Sequence, residues 1–155
     1  MHLDLATCRK QPGLTPDDEL LRRALEARGA VVRVAPWDAI DPDVARSVCL
    51  RSTWDYHHRW AEFRPWVQRF AAGPDRLWNP APTVLWNADK IYLRELAEAG
   101  VAMPATRWCE PGDRPDVEAF LRELGLPRAV LKPRVSATAH GTYALEPGRV
   151  LSEAE

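Results

Sequence analysis

Three short apolar runs in the first fifty residues constrain the fold more than any other feature: residues 3–8, AVVRVAPW from Ala30, and SVCLRS from Ser47. β-Branched residues are frequent in the second run, as suits pleated, half-buried strands. Between the first two lie a turn-rich QPGLTPDD stretch and then DELLRRALEARG, whose leucines at 20, 21 and 25 recur at helical spacing before a stop at Gly29. Strands connected by helical or loop crossovers align in parallel, so this half of the chain reads as an α/β unit.

In TWDYHHRWAEFRPWVQRFAAG the residues Trp60, Phe63, Val67 and Phe70 fall on one helical face, which Gly73 and Pro74 end. Pro65 should kink that helix or mark a restart, because it has no N–H for the helical ladder. RLWNPAPTVLWN reads as turn-rich. It leads into ADKIYLRELAEAG, a helix with Ile91, Tyr92, Leu96 and Ala99 on its apolar face, Asn87 as N-cap and Gly100 as stop. A strand over residues 105–109, a helix over 115–124 and a strand over 128–132 follow. From Arg134 the chain becomes small and polar, then makes a last strand before the acidic LSEAE tail. The expected division is an α/β lobe over residues 1–84 and the start of an α+β lobe over 85–155, without linker composition or an internal repeat.

At 155 residues and 46% hydrophobic, the chain can bury a real core. Its 21 Lys and Arg against 22 Asp and Glu leave a net charge of −1, so no broad field favours nucleic acid or an acidic membrane. The amino terminus lacks a basic stretch followed by a long apolar run, which makes a cytoplasmic location the default. Cys8, Cys49 and Cys109 show no CxxC or ligand spacing, and Cys8 and Cys49 are expected in buried strands. Neighbouring helical histidines such as His57 and His58 cannot share one metal, so none is expected. No nucleophile elbow or GxGxxG loop is present. The seven tryptophans lie amid apolar periodic segments and are expected to pack within and between lobes.

Four places carry chemistry. Lys90, in the first turn of a helix capped by Asn87, opposes the positive helix end; it either sits in solvent or pairs with an acid, or it shares the site with an anion. Lys132 ends the Ala129–Val130–Leu131 run just before Pro133, as an exposed strand-end lysine or as a phosphate ligand. SATAHGT, with Ser136, Thr138, Gly141 and Thr142, is either a solvent turn or a loop whose backbone donates to phosphate oxygens; it is not a Walker A loop. Arg51 opens RSTWDY at the carboxyl end of a strand, where open α/β sheets bind ligands. It either grips a substrate carboxylate or pairs with Asp55 or another acid.

Taken in order, VAPWD at 34–38, LRSTWDYHHR at 50–59, LWNPAPTVLWNADKIYLRELAEAGV at 77–101, PATRW at 104–108 and VLKPRVSATAHGT at 130–142 make a specific set. They resemble the amino-terminal portion of bacterial ATP-grasp proteins of the glutathione-synthetase-like and RimK-like type, including cycloserine-pathway ligase relatives. The resemblance implies a pre-ATP-grasp α/β lobe on the substrate side, followed by the first part of an α+β ATP-grasp lobe that is incomplete at its C-terminus.

Lys90 and Lys132 then look like the two nucleotide-contacting lysines, residues 136–142 like the loop that closes over the phosphates, and Arg51 like the arginine of the RSTWDY stretch. The implied reaction uses ATP and Mg2+ to make an acyl phosphate from a carboxylate, which an amine or similar nucleophile then attacks. The implied partners are that carboxylate and that acceptor, with homo-oligomers left open. The magnesium-binding acids would lie beyond this sequence, so Glu153 and Glu155 are not metal ligands and the chain alone is expected to be inactive. The alternatives are a noncatalytic binding or assembly module, a half-site completed by a partner chain, or a ligase with a nonamino acceptor.

Overall fold

A computed structural model describes residues 1–71 and 76–148. The stop at Gly73 and Pro74, the last strand and the acidic tail with Glu153 and Glu155 lie outside the described residues. The chain divides into two units, Met1–Asp89 and Lys90–Glu155.

The first unit is built on a four-stranded sheet with the order β2-β1-β3-β4, parallel throughout. Its strands are β1 (His2–Thr7), β2 (Val31–Pro36), β3 (Val48–Leu50) and β4 (Leu77–Trp78). Leu5 sits centrally, in register with Val34 on one side and Cys49 on the other. Helix α1 (Pro16–Glu26) makes the β1-to-β2 crossover: the Thr15 hydroxyl caps it, Asp17, Asp18 and Glu19 suit its positive end, and Gly29 at φ +82° turns the chain into β2.

Helix α2 (Trp60–Ala71) buries Phe63, Trp66, Val67 and Phe70 against a core containing Trp37, Ile40, Val48 and Leu77. Trp37 meets Phe63 edge-on at 5.2 Å, and the Trp66 Nε1–H reaches the Ile40 carbonyl at 2.8 Å, so these large rings pack with defined geometry. Pro65 lies within α2 and does not restart it. It lies on the exposed side, as does Ala61, whose carbonyl it leaves without a helical N–H.

Three expectations for this unit change. Residues 77–88 are not a turn-rich connection but β4 followed by helix α3 (Ala81–Ala88). Pro80 at the N-cap and Pro82 in the first turn start this helix rather than prevent it, since neither position needs an N–H. Asn87 lies inside α3 and caps nothing. Of the tryptophans, Trp37 and Trp66 are buried, but Trp54, Trp78 and Trp86 are 46%, 58% and 41% exposed, so they are not core residues of this unit. The cysteines form no disulfide: Cys8 is buried just after β1, and Cys49 is half-buried in β3.

In the second unit, α4 (Tyr92–Glu98) and α5 (Val117–Glu123) accompany an antiparallel pair, β5 (Ala129–Leu131) and β6 (Tyr143–Leu145), with Val130 opposite Ala144. Asp116 caps α5 through its carboxylate, and Leu121 and Leu145 are buried. The expected strand at 105–109 does not form. Arg107 instead pairs with Glu123 at 2.8 Å and lies over Phe120, while Arg94 lies over Trp108, so side-chain contacts with the helices hold the segment instead of a ladder. No helix among the described residues is long and apolar enough to cross a membrane.

Candidate functional site

The order β2-β1-β3-β4 places a topological switch between β1 and β3. The connections after these two strands diverge to opposite sides there, opening the crevice that ligands use in open α/β sheets. The connection after β1 is held by the buried Thr7, whose hydroxyl donates to the Pro12 carbonyl at 3.1 Å. After β3, the amide of Arg51 continues the ladder by donating to the Ala6 carbonyl at 3.0 Å.

The Arg51 side chain pairs with an acid, and that acid is Asp18, not Asp55. The guanidinium Nε and Nη2 both lie 2.6 Å from Asp18 Oδ1, and the Ser52 hydroxyl donates to Oδ2 at 3.0 Å. The Asp18 side chain is 5% exposed and that of Arg51 39%. Burial alone would raise the Asp18 carboxyl, but hydrogen bonding to Arg51, Ser52 and Thr15, with the guanidinium charge, outweighs it and holds the group below its ordinary value of 3.8.

Asp55 serves another purpose. The Trp37 indole N–H donates to Asp55 Oδ1 at 2.9 Å, and Arg59 lies 3.8 Å from Oδ2 of the same carboxylate. Arg59 also binds Asp38 at 2.7 Å and stacks over the Trp37 ring at 4.6 Å, while Arg9 reaches Asp38 at 2.5 Å. The VAPWD and RSTWDYHHR segments therefore meet in one lattice with the connection after β1. These charges fix three strand-end connections to each other and mostly consume themselves in doing so.

A shallow cavity of about 590 Å³ lies elsewhere, between α1 and β2, lined by Leu14, Thr15, Glu19, Arg22, Val32 and Val34. Arg22 and Arg23 satisfy Glu19 and hold its carboxyl at about 2, and Arg51 does not line the cavity, so we assign it no chemistry.

In the second unit, Lys90 precedes α4 instead of lying within its first turn. Its amide donates to the Arg134 carbonyl at 3.0 Å, and its ammonium lies 3.2 Å from the carbonyl oxygens of both Arg134 and Ser136. The lysine thus gathers the entrance of the 136–142 loop. Ser136 donates its hydroxyl to the His140 carbonyl at 2.6 Å, and the Thr138 hydroxyl donates to the Ala137 carbonyl at 2.8 Å. These hydroxyls shape the loop.

Thr138, Ala139 and Gly141 all have positive φ, at 51°, 58° and 63°. Among the described residues, the amides of these three donate to no acceptor, although those of His140 and Thr142 close turns onto Ala137 and Ala139. Unengaged amides in a turn are donors that an anion can accept, so the backbone of this loop offers groups that suit a polyphosphate. A Cβ on Gly141 would stand 2.7 Å from the Pro133 ring, so only glycine fits there and the loop closes onto the residue after Lys132. Lys132 itself is exposed and makes no hydrogen bond or ion pair with the described residues. Residues 134–142 contain no carboxylate, so this segment offers donors to phosphate but no ligand to magnesium.

Asp18 and Ser52, 33 and 1 residues from Arg51, and the Arg134 carbonyl, 44 from Lys90, were not foreseen. Only the Ser beside Arg51 carried a local signal.

An α/β fold with these features matches ATP-grasp-type structures. The crystal structure of D-cycloserine synthetase DcsG superposes with a TM-score of 0.79 at 28% identity, covering 94% of this chain and 50% of that one. A RimK domain ATP-grasp protein from Sphaerobacter thermophilus superposes at 0.70 and 24% identity, covering 96% and 56%, and shares the fold. In sequence, the cycloserine biosynthesis protein DcsG of Streptomyces lavendulae is 32% identical over 126 residues, which are 80% of this chain and 41% of that protein. Residues 3–79 match the model of the D-cycloserine synthetase DcsG N-terminal domain, to which this lobe is homologous. The chain spans about half the length of the relatives it matches.

Proposed function

We propose that this chain supplies the substrate lobe and the first nucleotide-binding elements of an ATP-dependent carboxylate–amine ligase. A substrate carboxylate oxygen would attack the γ-phosphorus of ATP, breaking the β–γ P–O bond and releasing ADP. The amine would then attack the acyl carbon, expelling phosphate and losing a proton. Lys90, Lys132 and the amides and hydroxyls of Ser136, Thr138, Gly141 and Thr142 are assigned to the triphosphate, where preorganised donors meet developing negative charge. Arg51 is assigned to the substrate carboxylate. Magnesium would come with the nucleotide, its carboxylate ligands drawn from outside the 134–142 loop. The substrates would be small molecules.

The observation that carries this reading is the 136–142 loop: three unengaged amides in left-handed backbone, beside a strand-end lysine and gathered by a second one. The test uses the full-length protein with ATP, Mg2+ and a panel of small amino acids, in the presence of hydroxylamine. An acyl phosphate is trapped as a hydroxamate, so carboxylate-dependent ADP and hydroxamate formed in equal amounts support the reading. ADP release that no carboxylate stimulates counts against it.

A further inference from the structure

Arg51 is held from one side only. The Asp18 carboxylate occupies the guanidinium edge formed by Nε and Nη2, and Nη1 has no partner among the described residues. A guanidinium carries five N–H donors in a planar fork, so filling the Nε edge leaves the Nη1 and Nη2 edge as a second bidentate face. The two members of the pair differ in exposure: Asp18 is buried at 5%, while Arg51 keeps 39% of its side chain accessible.

Asp18 is itself built in. Its amide is tied to the Thr15 hydroxyl that caps α1, and its second oxygen accepts from the Ser52 hydroxyl, with Ser52 fully buried at the end of β3. A surface ion pair lacks such support; this one joins the start of α1 to the switch point through a carboxylate that cannot turn away.

We infer that Asp18 is the positioning residue for Arg51, fixing the guanidinium plane so that its remaining edge receives a ligand carboxylate at the carboxyl end of the sheet. The inference rests on the assignment of Arg51 to the substrate. It predicts that substrate affinity depends on a buried acid that never touches the ligand, and that whose negative charge would by itself repel a carboxylate. Without the orientation, Arg51 would sample many rotamers, and each binding event would bear that ordering cost.

The test uses full-length protein with acetate as the carboxylate probe, followed through the guanidinium 15N resonance of Arg51, with circular dichroism and thermal unfolding alongside. In the unchanged protein the Arg51 resonance should shift saturably. Asp18→Asn should weaken acetate by about fivefold or more in a protein that is still folded, because a lost charge-assisted hydrogen bond frees the guanidinium. If Asp18→Asn lowers thermal stability but binds acetate as before, Asp18 is merely structural and the inference falls, with the Arg51 assignment intact. If the Arg51 resonance ignores acetate and Arg51→Ala leaves substrate KM unchanged, the assignment itself falls and the inference with it. Should Asp18→Asn fail to fold, Ser52→Ala removes only one donor to Asp18: about twofold weaker acetate supports the inference, and unchanged binding overturns it.

Discussion

The Trp37 indole N–H donates to Asp55 Oδ1 across 2.9 Å in the buried interior, joining the residue after β2 to the connection after β3. Arg59 completes the arrangement by covering the Trp37 ring and approaching the same carboxylate. Two segments that look like ligand motifs in the sequence thus first serve each other.

Asp55→Ala should therefore destabilise the chain by about 3 kcal/mol, since it leaves a buried indole N–H without an acceptor and removes a charge beside Arg59. Trp37→Phe, which removes the donor and part of the ring, should cost about 2 kcal/mol. Urea unfolding of both single variants and the double variant measures the coupling, and strict additivity would show that the hydrogen bond contributes nothing.

The Asp18 carboxyl is held below its ordinary value when folded, so the stability it contributes is complete above the unfolded pKa of 3.8 and is lost as pH falls through the folded value. The stability gap between the unchanged protein and Asp18→Asn should be about 2 kcal/mol near neutrality and should narrow on acidification below about pH 4. Unfolding curves at several pH values check this. A gap independent of pH would mean that Asp18 does not act as an anion.

Gly141→Ala puts a Cβ against the Pro133 ring at a positive φ, so the loop must shift or open. We expect a loss of about 1–2 kcal/mol, concentrated locally. Amide exchange should quicken for His140 and Thr142, whose turns close the loop, while β1 and β3 remain protected. In the full-length protein nucleotide affinity should fall with it.

Lys132→Ala and Lys90→Ala should separate. Lys132 is exposed and makes no hydrogen bond or ion pair with the described residues, so its loss should change stability by less than about 0.5 kcal/mol yet weaken ATP by about tenfold or more. Lys90 also gathers two carbonyls, so its loss should weaken ATP and loosen residues 134–136 together. Calorimetric titration with ATP alongside thermal unfolding distinguishes the two patterns.

The parts of the fold visible in the sequence were those with local causes. β1, β2 and β3 are apolar runs bounded by turn residues, and α2 shows Phe63, Val67 and Phe70 at helical spacing. Helix α3 was hidden because Pro80 and Pro82, read as turn residues, start a helix equally well. The 105–109 segment has strand-like composition but finds no ladder among the described residues, a tertiary matter that composition cannot convey. The site divides the same way. The loop's small residues and glycine were evident, but the partner of Arg51 lies 33 residues upstream on a helix, and nothing in the spacing points to it.

All four strands of the parallel sheet, in the order β2-β1-β3-β4, are drawn from the first 78 residues. During synthesis the amino-terminal lobe can therefore close its sheet as soon as Trp78 has emerged, while Lys90, Lys132 and the loop have yet to leave the ribosome. The ribosome delivers the surface that would greet the acid before it delivers any means of activating it, so a nascent chain stalled at that stage would have a finished sheet and no nucleotide chemistry.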